Sequence, residues 1–129
     1  MEKQHFLKKL SNISTFVFDV DGVFTNNQLL ATETGDLQRT FNAKDGFALK
    51  TAIEKGYTVC IITGGTSKAV HKRFEVLGVK HNYFRVSHKL SVLNEFLSIE
   101  NISPEKVLYI GDDIPDYEVM KLAGLATCP

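Results

Sequence analysis

Two acidic groupings hold most of the chemistry available to this chain. Asp19 and Asp21 flank one apolar residue at the end of the run Thr15-Phe-Val-Phe-Asp-Val20, and Asp112, Asp113 and Asp116 crowd the segment Gly111-Asp-Asp-Ile-Pro-Asp116. Carboxylates that converge in one cleft repel each other unless a cation neutralises them. Oxygen donors with no His or Cys among them suit a hard divalent ion. They point to Mg²⁺ rather than zinc, and Mg²⁺ is usually held by a few carboxylates with water and a substrate phosphate. Groups of opposite character follow two other apolar runs. Thr63, Gly64 and Gly65 form a strand-to-helix turn whose backbone N–H groups favour an anion, and Lys89 opens a helix. Such a set could hold a phosphoryl group between a metal and protein donors.

These residues meet only if the elements between them fold in a particular order. Glu2–Asn12 carries Phe6, Leu7 and Leu10 at helical spacing, and Thr15–Val20 reads as a short buried strand. Gln28–Glu33 and Asp36–Phe41 flank the turn signal Thr34-Gly35, which predicts a β-hairpin inserted after that first strand. Helices are expected over 44–55, with Phe47, Leu49, Ala52 and Ile53 toward a core, and over 66–77, 88–99 and 115–123. Strands are expected over 57–62, 83–86, 107–110 and 125–127, with Phe16, Phe18, Tyr83 and Tyr109 as strand core. This alternation predicts an α/β fold, a doubly wound (Rossmann-like) and mainly parallel five-stranded sheet with strand one central. Ligands of such sheets bind beyond the carboxyl ends of the strands, where each of the singled-out residues falls.

Taken alone, each element has a plainer reading. Asp before Gly is common turn chemistry, Thr66 and Ser67 suit helix capping, a lone Lys is usually solvated, and Asp116 near a helix start complements the macrodipole. Their coincidence at four successive strand ends is what favours a site. The length of 129 residues predicts one domain spanning 1–129, and 43% hydrophobic with 23% charged residues matches a globular chain. Fifteen basic and fifteen acidic residues give no net charge, so no nucleic-acid partner is expected. Without a long apolar run or a leader at the start, no membrane partner is expected and a cytoplasmic protein is. Cys60 and Cys128 do not make a disulfide framework, and neither is expected to bind metal. His5 and His81 read as surface or turn residues, and His71 and His88 lie toward the mouth of the site.

The segments Asp19-Val-Asp21-Gly22-Val-Phe-Thr25, Thr63-Gly64, Lys89 and Gly111-Asp112-Asp113-Ile-Pro-Asp116 resemble the four ordered motifs of the haloacid dehalogenase-like phosphatase superfamily. With the hairpin and the stretch Phe41-Asn42-Ala-Lys-Asp45-Gly46, the pattern is similar to its small capless branch, which acts on 3-deoxy-D-manno-octulosonate 8-phosphate or nonulosonate 9-phosphates. The likeness runs from about Ser14 to Thr127. It implies a Mg²⁺-dependent phosphomonoesterase acting on a small acidic sugar phosphate, foremost the octulosonate 8-phosphate of lipopolysaccharide biosynthesis. By the resemblance, Asp19 is the nucleophile that forms an aspartyl-phosphate and Asp21 is the acid/base. Thr63, Gly64 and Lys89 bind phosphate. Asp19, the main chain of Asp21 and Asp112 hold the metal, Asp113 and Asp116 support it and orient Lys89, and Asp113 is a further candidate ligand. The same likeness implies a homotetramer packed through the hairpin at about 28–41.

Two features depart from the family pattern. Octulosonate enzymes commonly carry Arg after Thr-Gly and nonulosonate enzymes Glu, whereas this chain has Gly65, for which Lys68, Lys72 or Arg73 could compensate. Relatives also continue past the strand at Leu125 with a helix and a Gly-rich tail, so the sequence is expected to be a minimal member or a fragment. A dehalogenase has no need of Asp21, and a phosphomutase needs a cap. In a receiver-type signalling domain the paired acids follow strand one and the phosphorylated Asp follows strand three, unlike the order here. A non-catalytic oligomeric scaffold is the remaining alternative.

Overall fold

Short runs of β-branched and aromatic residues build a five-stranded sheet in which every pairing is parallel. In the computed structural model, which describes residues 2–129 and side chains from His5 onward, the strands are β1 (Thr15–Phe18), β4 (Thr58–Ile62), β5 (His81–Tyr83), β6 (Val107–Ile110) and β7 (Leu125–Thr127). Their order across the sheet is β5-β4-β1-β6-β7, which makes β1 central. Helices α2 (Ala43–Glu54), α3 (Lys68–Val76), α4 (Lys89–Glu100) and α5 (Tyr117–Leu122) return the chain between strands, and α1 (Glu2–Ser11) precedes β1. A parallel pair needs a crossover on one face or the other, so successive side chains of a strand meet helices on opposite faces, and β4 is buried on both. Val59 and Ile61 join Leu49 of α2 with Val70 and Phe74 of α3, whereas Cys60 and Ile62 join Leu93, Phe96 and Leu97 of α4 and Val119 of α5. The sheet is therefore doubly wound.

Several boundaries differ from the sequence expectation. The hairpin between β1 and α2 pairs only two residues on each side, β2 (Leu30–Ala31) and β3 (Leu37–Gln38), and all four are exposed. Strand β5 lies at His81–Tyr83 rather than 83–86, because Arg85 takes a positive φ of 56° and turns the chain toward the Gly65 carbonyl. His81 is thus a strand residue packed on Phe96, not a surface turn. The helix expected from Pro115 splits into a tight turn, Ile114–Asp116, and then α5. Phe47 is 76% exposed: it shares the helical period of α2 but faces away from the sheet, while Leu49 is buried. The apolar residues Phe6, Leu7 and Leu10 of α1 are likewise exposed. Phe16 and Phe18 are half-buried, and Tyr109 is fully buried.

Candidate active site

The carboxyl ends of β1, β4 and β6 and the start of α4 bring the singled-out residues together. Asp19 follows β1 directly, and its amide donates to the Ile110 carbonyl of β6 at 3.0 Å, which ties the two strand ends. Gly22 takes a φ of +84°, and a Cβ there would overlap the Asp112 carboxylate. Only a residue without a side chain lets the loop after β1 lie against the loop after β6. The turn is braced by Thr25, whose Oγ1 accepts from the amides of Gly22 and Asn27.

Lys89 is the buried cation of the site. At 7% exposure its Nζ lies 3.0 Å from Asp19 Oδ1 and 2.7 Å from Asp116 Oδ1. Asp116 is itself fully buried. Its Oδ1 also accepts from Tyr109 Oη at 2.7 Å, and its Oδ2 accepts from the amides of Asp112 and Asp113 at 3.1 and 3.3 Å. Both oxygens are thus occupied. Gly111 makes room for this, since a Cβ there would sit 2.5 Å from the Asp116 carboxyl carbon. Burial works to raise Asp116, but the bonds from Lys89 and Tyr109 outweigh it and hold this carboxyl below its ordinary range. The Tyr109 phenol is pushed up by burial and by its bond to Asp116, so it stays a donor.

Asp19 and Asp112 are in a different condition. Desolvation pushes Asp19 up to about 6 despite the nearby Lys89, and burial with the charges of Asp116 and Asp113 raises Asp112. One oxygen from each of Asp19, Asp112 and Asp116 falls within a mutual 4.8 Å. This crowding of hard oxygen donors, two of them raised by burial, fits a divalent cation such as Mg²⁺. Since Asp116 has no free oxygen, Asp19 and Asp112 are the side chains left to hold it. The Asp113 Oδ1 accepts from the Ile114 amide at 2.7 Å and caps the tight turn.

Asp21 stands apart from that cluster, with a partner the sequence reading missed. Arg39, just past β3, donates from Nε to Oδ1 at 2.6 Å and from Nη2 to Oδ2 at 3.0 Å. No local signal distinguishes Arg39 from any other hairpin charge, because the pair spans 18 residues. Asn27 was missed as well; at φ 68° it donates from Nδ2 to Asp112 Oδ2 at 3.3 Å. Thr63 is buried, and its Oγ1 accepts from the Gly65 amide at 3.2 Å in the turn that Gly64 shares. Ser67 caps α3 by accepting from the Val70 amide at 3.4 Å. Lys72 pairs with Glu75 on the surface, Arg73 packs toward Gly46 of α2, and Lys68 alone of the three lines the cleft beside Gly65.

The arrangement puts the Asp19 carboxylate at the end of the central strand, with the fixed ammonium of Lys89 at 3.0 Å and the Asp112 carboxylate within 4.8 Å. A structure of a 3-deoxy-D-manno-octulosonate 8-phosphate phosphatase from Moraxella catarrhalis, in complex with magnesium, phosphate and the sugar acid, aligns with a TM-score of 0.89 and 30% identity. The match covers 94% of this chain and 70% of that one. The chain belongs to the 3-deoxy-D-manno-octulosonate 8-phosphate phosphatase family of the haloacid dehalogenase-like superfamily. A probable phosphatase of the YrbI family from Pseudomonas syringae aligns with a TM-score of 0.93 and 37% identity, over 97% of this chain and 71% of the other. A family relative from Salmonella typhi, named as an octulosonate 8-phosphate phosphatase, is 36% identical over 122 residues. That alignment takes in 95% of this chain but 65% of the relative, so the chain spans somewhat less than two-thirds of the relative's length. No protein-family model matches the chain.

Proposed function

We propose that the protein is a Mg²⁺-dependent phosphomonoesterase that hydrolyses a small acidic sugar phosphate, 3-deoxy-D-manno-octulosonate 8-phosphate, to the sugar and phosphate. The observation that carries this reading is the Asp19 carboxylate, 3.0 Å from the buried Lys89 and grouped within 4.8 Å with Asp112. The names of its relatives support the substrate class.

In this reading one oxygen of Asp19 attacks phosphorus, the bond from phosphorus to the sugar oxygen breaks, and an aspartyl-phosphate forms. Asp21, with one oxygen protonated in place of a bond it accepts from Arg39, would give that proton to the departing sugar oxygen. It then takes a proton from the water that attacks phosphorus, and the bond to Asp19 breaks to release phosphate. Lys89 cannot drift, because Asp116 and Asp19 hold it, so its ammonium meets the phosphoryl oxygens in a preset position. Thr63 and the amide of Gly64 would take the other oxygens. Asp19, Asp112 and the backbone carbonyl of Asp21 would hold Mg²⁺, which supplies charge neutralisation for an anionic nucleophile approaching an anionic phosphate.

Asp113 would support the loop that presents Asp112. The residues from 1 to 129 would act as one domain. We place the enzyme in the cytoplasm; among the described residues no helix is long and apolar enough to cross a membrane. A homotetramer formed through the hairpin would cover Leu29, Leu30 and Leu37, each at least 45% exposed.

Phosphate release with Mg²⁺ from a panel including the octulosonate 8-phosphate and nonulosonate 9-phosphates tests the reading. Turnover of one acidic sugar phosphate, lost in Asp19→Asn, is the expected result. A folded, Mg²⁺-binding protein that releases phosphate from none of them would return the chain to the scaffold alternative.

A further inference from the structure

Arg39 enters the site from the hairpin, and the reaction proposed above assigns it no part. Of the five N–H donors of a guanidinium, three are engaged here. Nε and Nη2 bond the two oxygens of Asp21, and Nη1 bonds the Leu37 carbonyl at 2.9 Å. One N–H on Nη1 and one on Nη2 remain, and among the described residues no further acceptor takes them. The side chain is only 7% exposed, so the planar group is held in one orientation.

Beside it lies a cleft of about 900 Å³ between the hairpin and the start of α3, bordered by Asp36, Gln38, Arg39, Gly65, Ser67 and Lys68. A Cβ at position 65 would lie 3.3 Å from Arg39 Nη2, so glycine there keeps that edge of the guanidinium clear. Arg39 and Lys68 are the cations of this cleft. Its one acid, Asp36, accepts from the Thr34 hydroxyl at 3.0 Å within the hairpin turn. Gln38 and the hydroxyls of Thr66 and Ser67 suit a polyhydroxylated ligand.

The geometry points to Arg39 as the residue that reads the carboxylate of the substrate's leaving moiety, through its two remaining N–H groups, with Asp21 and the Leu37 carbonyl fixing its orientation. This deepens the phosphatase reading and rests on it for the identity of the sugar acid. A fork of parallel N–H groups matches a carboxylate in a way a point charge does not, so Lys cannot fully replace Arg here. The pair also sets the register of catalysis. A carboxylate bound to Arg39 brings the remainder of the leaving group beside Asp21, which the same guanidinium holds.

Two measurements on the full chain test this. Binding of the free octulosonate sugar acid is measured calorimetrically with the wild type, Asp19→Asn, Arg39→Ala and Arg39→Lys, each first shown to fold by its melting curve. Hydrolysis of the octulosonate 8-phosphate is then compared with that of arabinose 5-phosphate, a neutral sugar ester. The expected result is sugar-acid binding by the wild type and Asp19→Asn, weakened about 100-fold in Arg39→Ala and only partly restored in Arg39→Lys. The ratio of kcat/KM for the acidic over the neutral ester falls by the same factor, chiefly through KM. Unchanged sugar-acid binding in Arg39→Ala, or an equal loss of hydrolysis on both esters, overturns the inference. If no variant releases phosphate, the phosphatase reading fails, and the binding arm still decides the role of Arg39.

Discussion

Replacing Asp116 by Asn separates the structural acid of the site from the acids that would hold metal. The carboxylate is fully buried and accepts four bonds, two on each oxygen. An amide of the same shape must aim its NH₂ either at Lys89 and Tyr109 or at the amides of Asp112 and Asp113. In both orientations two donors face a donor, and Lys89 is left with Asp19 as its one counter-charge. Removing one partner of a buried pair costs about 3–5 kcal/mol. With an unfolding entropy of about 2.1 cal/mol/K per residue, that loss lowers Tm by about 11–18 °C for a chain of 129 residues. Asp112→Asn should behave in the opposite way. Asp112 is raised by burial and by the charges of Asp116 and Asp113, so neutralising it should leave the metal-free Tm unchanged or higher, while the rise in Tm on adding Mg²⁺ disappears. Melting curves of both variants with EDTA and with Mg²⁺ decide the matter. An Asp116→Asn protein that melts with the wild type but loses the Mg²⁺ response, beside an Asp112→Asn protein that keeps it, would refute the assignment.

The pH dependence follows from Asp19, whose folded value of about 6 lies above its ordinary 3.8. In metal-free protein its contribution to stability is fully present below the ordinary value and is lost as pH rises through 6. Proton and metal compete for the same oxygens, so Mg²⁺ affinity measured by titration calorimetry should be about tenfold weaker at pH 5 than at pH 7; equal affinity would contradict the desolvated site. Gly22→Ala places a Cβ in the Asp112 carboxylate at a φ of +84°, costing about 1–2 kcal/mol for the left-handed backbone alone. A Tm fall of at least about 4 °C, with loss of the Mg²⁺ response, is expected. Leu37→Asp puts a charge on the exposed hairpin face and should shift sedimentation from the proposed tetramer toward monomer, while an unchanged profile would place the interface elsewhere.

The amino-acid sequence by itself determined four of the five strands and which residues lie at their ends. The strands at β1, β4, β6 and β7 are apolar runs between turn signals, and the period of α4 carries Leu93, Phe96 and Leu97 inward. Such patterns act over a few residues, so they are written locally. Asp19, Thr63, Lys89 and Asp112 were legible for the same reason, each falling at a strand end or helix start whose position the pattern sets. The hairpin was legible only as a turn between two polar-apolar stretches, and its strands shortened because two exposed two-residue strands have no core to extend them. Phe47 misled because helical period says which residues share a face, not whether that face meets the sheet. Tertiary structure alone decided which acids are alike. Asp112, Asp113 and Asp116 are neighbours in sequence, yet one is crowded and open to a metal, one caps a turn and one is buried under Lys89 and Tyr109. It also decided that Arg39 reaches Asp21. Desolvation and long-range pairing depend on what packs around a group, and no spacing along the chain encodes that.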